Sequence, residues 1–228
     1  MTIQVATRSA LRSMPRLMTI FSSLLVALAT LAAAVASFQP FADPRLLFMD
    51  VIAGAQASGY CCRGYYGVMS SLGAISWALA AGTALFAALC LWSRGEAASR
   101  WSSLAFGGAL SLALCLDDML LLHESILPGW GLPQEVVLGA YGLTGMAYAF
   151  VQRRRLLSSE GAFLLLAFLL FGGSLAIDIL LHSTESMAVA AEDSLKFVGI
   201  HAWLAFHIDQ AQRAVLSMHP NPPPHPVS

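Results

Sequence analysis

The segment Leu116-Asp117-Asp118-Met119-Leu120-Leu121-Leu122-His123-Glu124 places Asp117, Asp118, Glu124 and one imidazole in a stretch otherwise apolar enough to cross a bilayer. Ionisable side chains at such depth are costly, so they turn toward protein or water and are usually functional, paired or both. Two further stretches share this character. Asp178 and His182 end one apolar run, and Glu192, Asp193, Lys196 and His201 begin the next. Outward from these three places, the chain reads as a helical membrane protein with one internal polar site.

Composition agrees. Of 228 residues, 57% are hydrophobic and 11% charged, with a mean hydropathy of +0.70; soluble domains carry roughly 25% charged residues. The expected fold is all-α, a polytopic transmembrane helical bundle whose first partner is the lipid bilayer. A formal net charge of −1 gives no electrostatic support for a nucleic-acid partner. Cys61, Cys62, Cys90 and Cys115 show no CxxC or Cys/His finger spacing, which excludes an encoded structural zinc site or thioredoxin-like motif. Cys90 and Cys115 sit in apolar runs and pack as small hydrophobes. The vicinal Cys61-Cys62 falls in a loop, either as a redox or metal-binding feature or as ordinary loop thiols or a disulfide to another chain.

Residues 1–16 carry Arg8, Arg12 and Arg16 without an acid and read as a basic cytoplasmic N-terminus; the apolar run 17–38 follows. That run has about the 20 residues a span requires. A signal peptide is the rival reading, because Ala34-Val35-Ala36 offers a small-x-small cleavage site, but the run exceeds a usual h-region and a retained first span is expected. An organelle transit peptide is a weaker alternative. Residues 39–67 form the expected periplasmic loop. In it Asp43-Pro44 starts a short interfacial helix reaching about Ala55, followed by a loop with Tyr60, Tyr65 and Tyr66 as headgroup-level anchors. Residues 68–210 hold five more apolar runs, at about 68–92, 103–127, 133–151, 161–182 and 187–210, and 211–228 is a Pro-rich cytoplasmic tail. Small residues recur within the runs, at Ala80, Ala84 and Ala88, at Gly107, Ser111 and Cys115, at Gly139, Gly142 and Gly145, and at Gly172 and Ala176. They suit close helix contact in lipid.

With six spans, nine Arg fall on one side (8, 12, 16, 94, 100, 153, 154, 155 and 213) and only Arg45 and Arg63 on the other. The positive-inside pattern predicts both termini in the cytoplasm of a bacterial inner membrane. The same topology sets Asp117, Asp118, His123, Glu124, Asp178, His182, Glu192, Asp193 and Lys196 at one level, in the outer half. Asp117 and Glu124 are seven apart and share a helix face; Asp178 and His182, and Glu192 and Lys196, are four apart.

Asp117, Asp118, Glu124, Asp178, Glu192 and Asp193 face a single Lys in this layer. Either several carboxylates stay protonated or a cation supplies the missing charge. The metal reading takes Asp118, His123, Asp178 and His182 as ligands, with Asp117 and Asp193 in reserve, around a divalent Zn, Fe or Mn. An open coordination position would activate water for chemistry on a membrane-soluble substrate, with Glu124, Glu192 and Lys196 as the candidate catalytic residues. Proton or cation translocation is the alternative, and a purely structural polar network the third reading.

The patterns Leu-Asp-Asp-x-x-x-x-His-Glu at 116–124 and Glu-Asp-x-x-Lys-x-x-Gly-x-x-x-Trp at 192–203 resemble those of a group of uncharacterised bacterial multi-pass membrane proteins. In that group the pairs are often Asp-Glu and Glu-Glu, so Asp118 and Asp193 depart by one methylene. The resemblance covers about a third of the chain and implies no established activity. Alkaline ceramidase-like membrane hydrolases also use Asp and His near one membrane face, but their HxxxH is missing, since His201 and His207 are six apart.

Overall fold

The structure, a computed structural model, describes residues 2–61, 63–181 and 185–218. The described residues are helical, with no strand. Six long helices, α1 (Thr2–Phe38), α4 (Val68–Ser93), α5 (Ala98–Leu120), α7 (Gln134–Val151), α9 (Ala162–Leu181) and α10 (Ser186–Leu216), are joined by short ones: α2 (Arg45–Phe48), α3 (Val51–Ser58), α6 (Leu127–Gly129) and α8 (Arg153–Leu156). Four segments are long and apolar enough to cross a membrane: Leu17–Phe38, Val68–Ser93, Ala98–Leu120 and Ser159–Asp178.

Two of the long helices fall short of that measure, α7 and α10, and the second is the centre of the molecule. Helices α1, α4 and α9 pack around it, α5 packs on α4, and α7 leans on α5. From Phe197 to Ala211 nearly every side chain of α10 is buried, including His201, His207, Asp209 and Gln210. Its low mean hydropathy and its central place have one cause. A helix shielded from lipid by its neighbours can carry polar groups that a lipid-facing helix cannot. The core around it is aromatic: Trp203 packs on Trp77 (5.9 Å between ring centroids), Tyr148 (5.2 Å) and Phe168 (6.0 Å), with Phe206 fully buried beside them.

The first helix is built into this core. Ala29, Ala33 and Ala36 pack with Ala190 and Phe197 of α10, Ser37 and Ser194 hydroxyls meet at 3.1 Å, and Ser22 donates to Asp209 at 3.3 Å. Residues 1–16, expected as a separate basic N-terminus, continue α1 back to Thr2. At the other end α10 runs on to Leu216, beyond the expected boundary at 210, and the remainder of the expected Pro-rich tail lies outside the described residues. The single interfacial helix expected after Pro44 is two helices instead. The chain breaks at Met49, and Asp50 caps α3 by accepting from the amides of Ile52 and Ala53. An Asx cap restarts the helix in a new direction, so that α2 packs on α4 and α10 and α3 packs on α2. Cys61 is disulfide-bonded, while Cys90 and Cys115 are free, Cys115 being buried as expected; Cys62 lies outside the described residues.

Small residues divide into two groups. Ala80, Ala84 and Ala88 are buried against α5 and α10, and Gly107 and Ser111 lie where α5 meets the core. A methyl group on Gly107 would collide with His207 Nε2 and come within 2.6 Å of the Tyr148 hydroxyl, and one on Gly199 within 2.8 Å of Phe171. On α7, by contrast, Gly139 and Gly142 have nothing within 4 Å of a Cβ, and Gly172 on α9 is equally open. The expectation of close contact therefore fails at Gly139 and Gly142, because α7 has only Val137 and Tyr148 buried, and at Gly172, which is exposed on α9; it holds at Gly145, where a methyl group would meet Phe168 at 3.7 Å. Gly107→Ala and Gly199→Ala should each lower stability by about 1–3 kcal/mol through overpacking. Gly139→Ala should be neutral or slightly stabilising, within about 0.5 kcal/mol. Thermal unfolding of the three variants in detergent makes the comparison.

Candidate functional site

Helix α5 ends abruptly at Leu120. Leu121 has φ of +52°, the one non-glycine residue with positive φ among the described residues, and Leu122–Ile126 form a π turn. A leucine in the left-handed region costs about 1 kcal/mol or more and persists only where the surroundings enforce it. Here the break turns the chain back on itself. In a continuous helix residues 117 and 123 would face different sides. The reversal instead brings His123 onto Asp117: Nδ1 pairs with Oδ2, and the His123 amide donates to Oδ1 at 3.1 Å. Both residues are buried, Asp117 at 3% exposure and His123 at 8%. Tyr141 of α7 donates its hydroxyl to Asp117 Oδ1 at 3.3 Å, and the outer side of the imidazole, Nε2, lies 3.4 Å from Glu124 Oε1. The result is a row Tyr141, Asp117, His123, Glu124.

Asp118, on the neighbouring face of α5, looks the other way, into the bundle. Its Oδ2 accepts from Trp77 Nε1 of α4 at 3.1 Å and its Oδ1 from Lys196 Nζ of α10 at 3.3 Å. A cavity of about 170 Å³ opens between these two arrangements, walled by Asp118, Glu124, Asp193 and Lys196 and roofed by Phe48 and Asp50 of the α2–α3 corner. Ser70 of α4 and Leu121 complete it. A small cleft of about 30 Å³ continues inward beside Ser70, Gly73 and Ile200. Below it the interior is filled by the Trp77, Phe171 and Trp203 rings.

The expected convergence thus holds for Asp118, Glu124, Asp193 and Lys196, which share one cavity, and for Asp117 and His123 directly behind it. It does not hold for the full ligand set. Asp118 and His123 are turned to different partners, and Asp178 is exposed on α9, near enough to Glu192 and Asp193 to repel them. His182 lies outside the described residues. Among the described residues no three His, Cys, Asp or Glu side chains are set to hold a metal ion. Glu192 is half-buried beside the cavity wall without lining it. The shared face expected for Asp117 and Glu124 is broken by the π turn, and the two are linked through His123 instead.

Sequence reading missed Asp50, Ser70, Trp77 and Tyr141. Trp77 and Tyr141 lie in apolar runs with no neighbouring charge, so nothing local marks them. His201 and His207 are structural. Each donates Nδ1–H to the carbonyl four residues earlier, Phe197 and Trp203, at 2.9 Å. Each then presents Nε2 as an acceptor, to the Ser76 hydroxyl at 3.1 Å and the Tyr148 hydroxyl at 3.3 Å.

His123 and Glu124 sit beyond the end of the α5 span. Hydrogen bonds to Asp117 first and Glu124 second raise the imidazole from 6.5 to about 9, so at neutral pH it is an imidazolium between two carboxylates. The same hydrogen bond, from His123, lowers Glu124 below its ordinary range. The raised His123 value contributes stability that is complete below the unfolded-state value near 6.5 and is lost as pH rises through about 9. The lowered Glu124 value contributes stability present above about 4.5 and lost as pH falls. Melting temperature should therefore decline between pH 6.5 and 9.5, and His123→Gln should flatten that decline. Asp117→Ala, which leaves a buried imidazolium and a tyrosine hydroxyl without their partner, should cost about 3 kcal/mol at pH 7. A pH series of thermal melts on the three proteins checks both statements.

No curated protein and no solved structure matches the chain. A family model described as a domain of unknown function (DUF8692) matches residues 19–209, a stretch that includes at least part of every long helix and every residue lining the cavity beside Lys196. The chain belongs to that family.

Proposed function

We propose that the protein is a six-span integral membrane protein of a bacterial inner membrane, with both termini cytoplasmic, whose outer cavity carries out acid–base chemistry on a membrane-soluble substrate. Six spans follow from counting α7 and α10 with the four apolar segments. Helix α7, with 18 residues, is about 27 Å long, and α10 is the helix the others enclose. The nine Arg at one end set the orientation.

The observation that carries the chemical reading is the row Tyr141, Asp117, His123, Glu124, which ends at the cavity and faces the Lys196–Asp118 pair across it. A carboxylate that lines a cavity and is backed by an imidazole and a second carboxylate can exchange a proton with a bound group and have it replaced from behind. Lys196 supplies a fixed positive charge for a carbonyl or phosphoryl oxygen. Glu124 is the proton-exchanging residue, His123 and Asp117 position it and hold its charge, and Lys196 binds the substrate's oxygen. In a hydrolysis, water would lose its proton to Glu124 as its oxygen adds to the acyl or phosphoryl centre, and the leaving group would take a proton in return. The cavity admits a headgroup or ester linkage, and the chain of a lipid substrate would lie outside in the bilayer. The aromatic packing beneath the cavity favours a one-sided site over a translocation path.

A second reading has its own observation: Asp50, Asp118, Glu124 and Asp193 surround the cavity against Lys196 alone. A divalent ion, Zn, Fe or Mn, would balance that charge once Lys196 moved aside. Elemental analysis of purified protein separates the two, because stoichiometric metal lost in Asp118→Asn supports the second.

The test uses protein in nanodiscs made from a bacterial total lipid extract, in ¹⁸O-labelled water, with products followed by mass spectrometry. The wild type should release a labelled product. Glu124→Gln and His123→Ala should slow it about 10²–10⁴-fold, Lys196→Met should chiefly raise KM, and Gly139→Ala should match the wild type. No labelled product from the wild type, or a product rate that Glu124→Gln leaves unchanged, would contradict the proposal.

A further inference from the structure

A second polar cavity, unrelated to the first, lies at the opposite end of the bundle. It measures about 210 Å³ and is built where the start of α5, the short helix α8 and the end of α10 meet. Each of those elements contributes one guanidinium: Arg100, Arg155 and Arg213. Three arginines from three separate elements around one hollow is an arrangement that self-repulsion opposes unless something negative occupies the middle.

The partners of these groups show what is left over. Arg213 pairs with Glu160 at 3.0 Å, and Arg100 pairs with Glu96 at 2.5 Å and donates to the Ser217 hydroxyl. Arg155 is the exception. Its Nη1 donates to Gln210 Oε1, a neutral acceptor, and among the described residues no carboxylate lies within 4 Å of it. Gln210, which lines the same cavity, is buried at 7% exposure, and its amide nitrogen has no hydrogen-bond partner among the described residues. A buried N–H donor left unmade costs about 1–3 kcal/mol and calls for an acceptor. With Oε1 fixed by Arg155, the amide cannot flip to relieve itself. The guanidinium that lacks a carboxylate and the amide that lacks an acceptor are bonded to each other on one wall, so one group with several acceptor oxygens would satisfy both.

We propose that this cavity binds a single phosphate group, held by Arg155 and the Gln210 amide and flanked by Arg100 and Arg213. Guanidinium forks match phosphate oxygens in pairs, and the fixed fork loses little freedom on binding. Glu160 and Asp209 also line the cavity and Glu96 pairs with Arg100, so three carboxylates already balance the three guanidiniums, a setting that fits one phosphate rather than a polyphosphate chain. The nine-arginine end of the molecule is where an anionic phospholipid headgroup would sit, and a soluble phosphate would reach the same place from the aqueous side. The two sources present the same chemistry to the same residues.

Two arms distinguish them, both on the full chain in nanodiscs. In the first, affinity for phosphatidylglycerol is measured against a phosphatidylcholine background; in the second, inorganic phosphate is added to pure phosphatidylcholine discs and the thermal shift recorded. Arg155→Gln should weaken binding at least 10-fold in whichever arm responds. Gln210→Leu, which removes the unpaired donor and the acceptor of Arg155 together, should weaken it several-fold. Glu160→Gln should tighten binding by freeing Arg213, a change that a merely structural role does not predict. Selective phosphatidylglycerol binding identifies the headgroup source, and a phosphate-dependent shift identifies the soluble source. No response in either arm, or a response indifferent to Arg155→Gln and Gln210→Leu, overturns the proposal.

Discussion

One ammonium, that of Lys196, sits on the central helix of a bundle in which four segments are long and apolar enough to cross a membrane, and the site is arranged around it. Lys196 is the sole lysine in the sequence, and its carboxylate partner comes from a different helix, Asp118 of α5, which is in turn held by Trp77 of α4. In a hydrocarbon surrounding each of these groups alone would be prohibitive, and together they form a neutral, hydrogen-bonded cluster. That pairing agrees with the rotation of α10 that buries Phe197 to Ala211 against α1, α4 and α9. The aromatic core of Trp203, Trp77 and Tyr148 completes the same orientation from below.

The second ionic group in the site depends on backbone geometry rather than on helix rotation. Asp117 and His123 would be separated in an uninterrupted helix. The left-handed Leu121 and the π turn after it bring them together and at the same time end the span. Local strain of this sort is held in place by what it gains elsewhere, here a buried ion pair and a tyrosine hydrogen bond from α7. Helix α7, whose buried residues are Val137 and Tyr148, also reaches the site through the Tyr141 hydroxyl, so the site and the placement of that helix support each other.

Much of this could be read from the residues alone, for reasons that differ by element. Apolar runs of span length mark helices directly, and Asp117, Asp118, Glu124, Asp193 and Lys196 stand out because charge is rare in such runs. Their common depth followed from alternating span direction, and four of them do share a cavity. What sequence spacing could not reveal is what happens when the helix stops. Counting residues along an ideal helix put Asp117 and Glu124 on one face and paired Asp178 with His182, whereas the π turn links Asp117 to His123, and Asp178 is exposed. Partners such as Trp77 and Tyr141 carry no charge and blend into their apolar surroundings. The cavity lined by Arg100, Arg155 and Arg213 was invisible for a related reason: its three arginines read as topology signals at separate places in the chain, and only the fold shows that they line one space.

The most direct test of the account is a double-mutant cycle on Asp118 and Lys196, with stability measured for the wild type, Asp118→Asn, Lys196→Met and the double variant. The Lys196 side chain is 43% exposed, so the coupling expected is modest, about 1 kcal/mol. A double variant clearly more stable than the sum of the single losses supports the pairing of α5 with α10. Losses that add within about 0.3 kcal/mol would mean that the two charges do not meet, and the outer site as described would not exist.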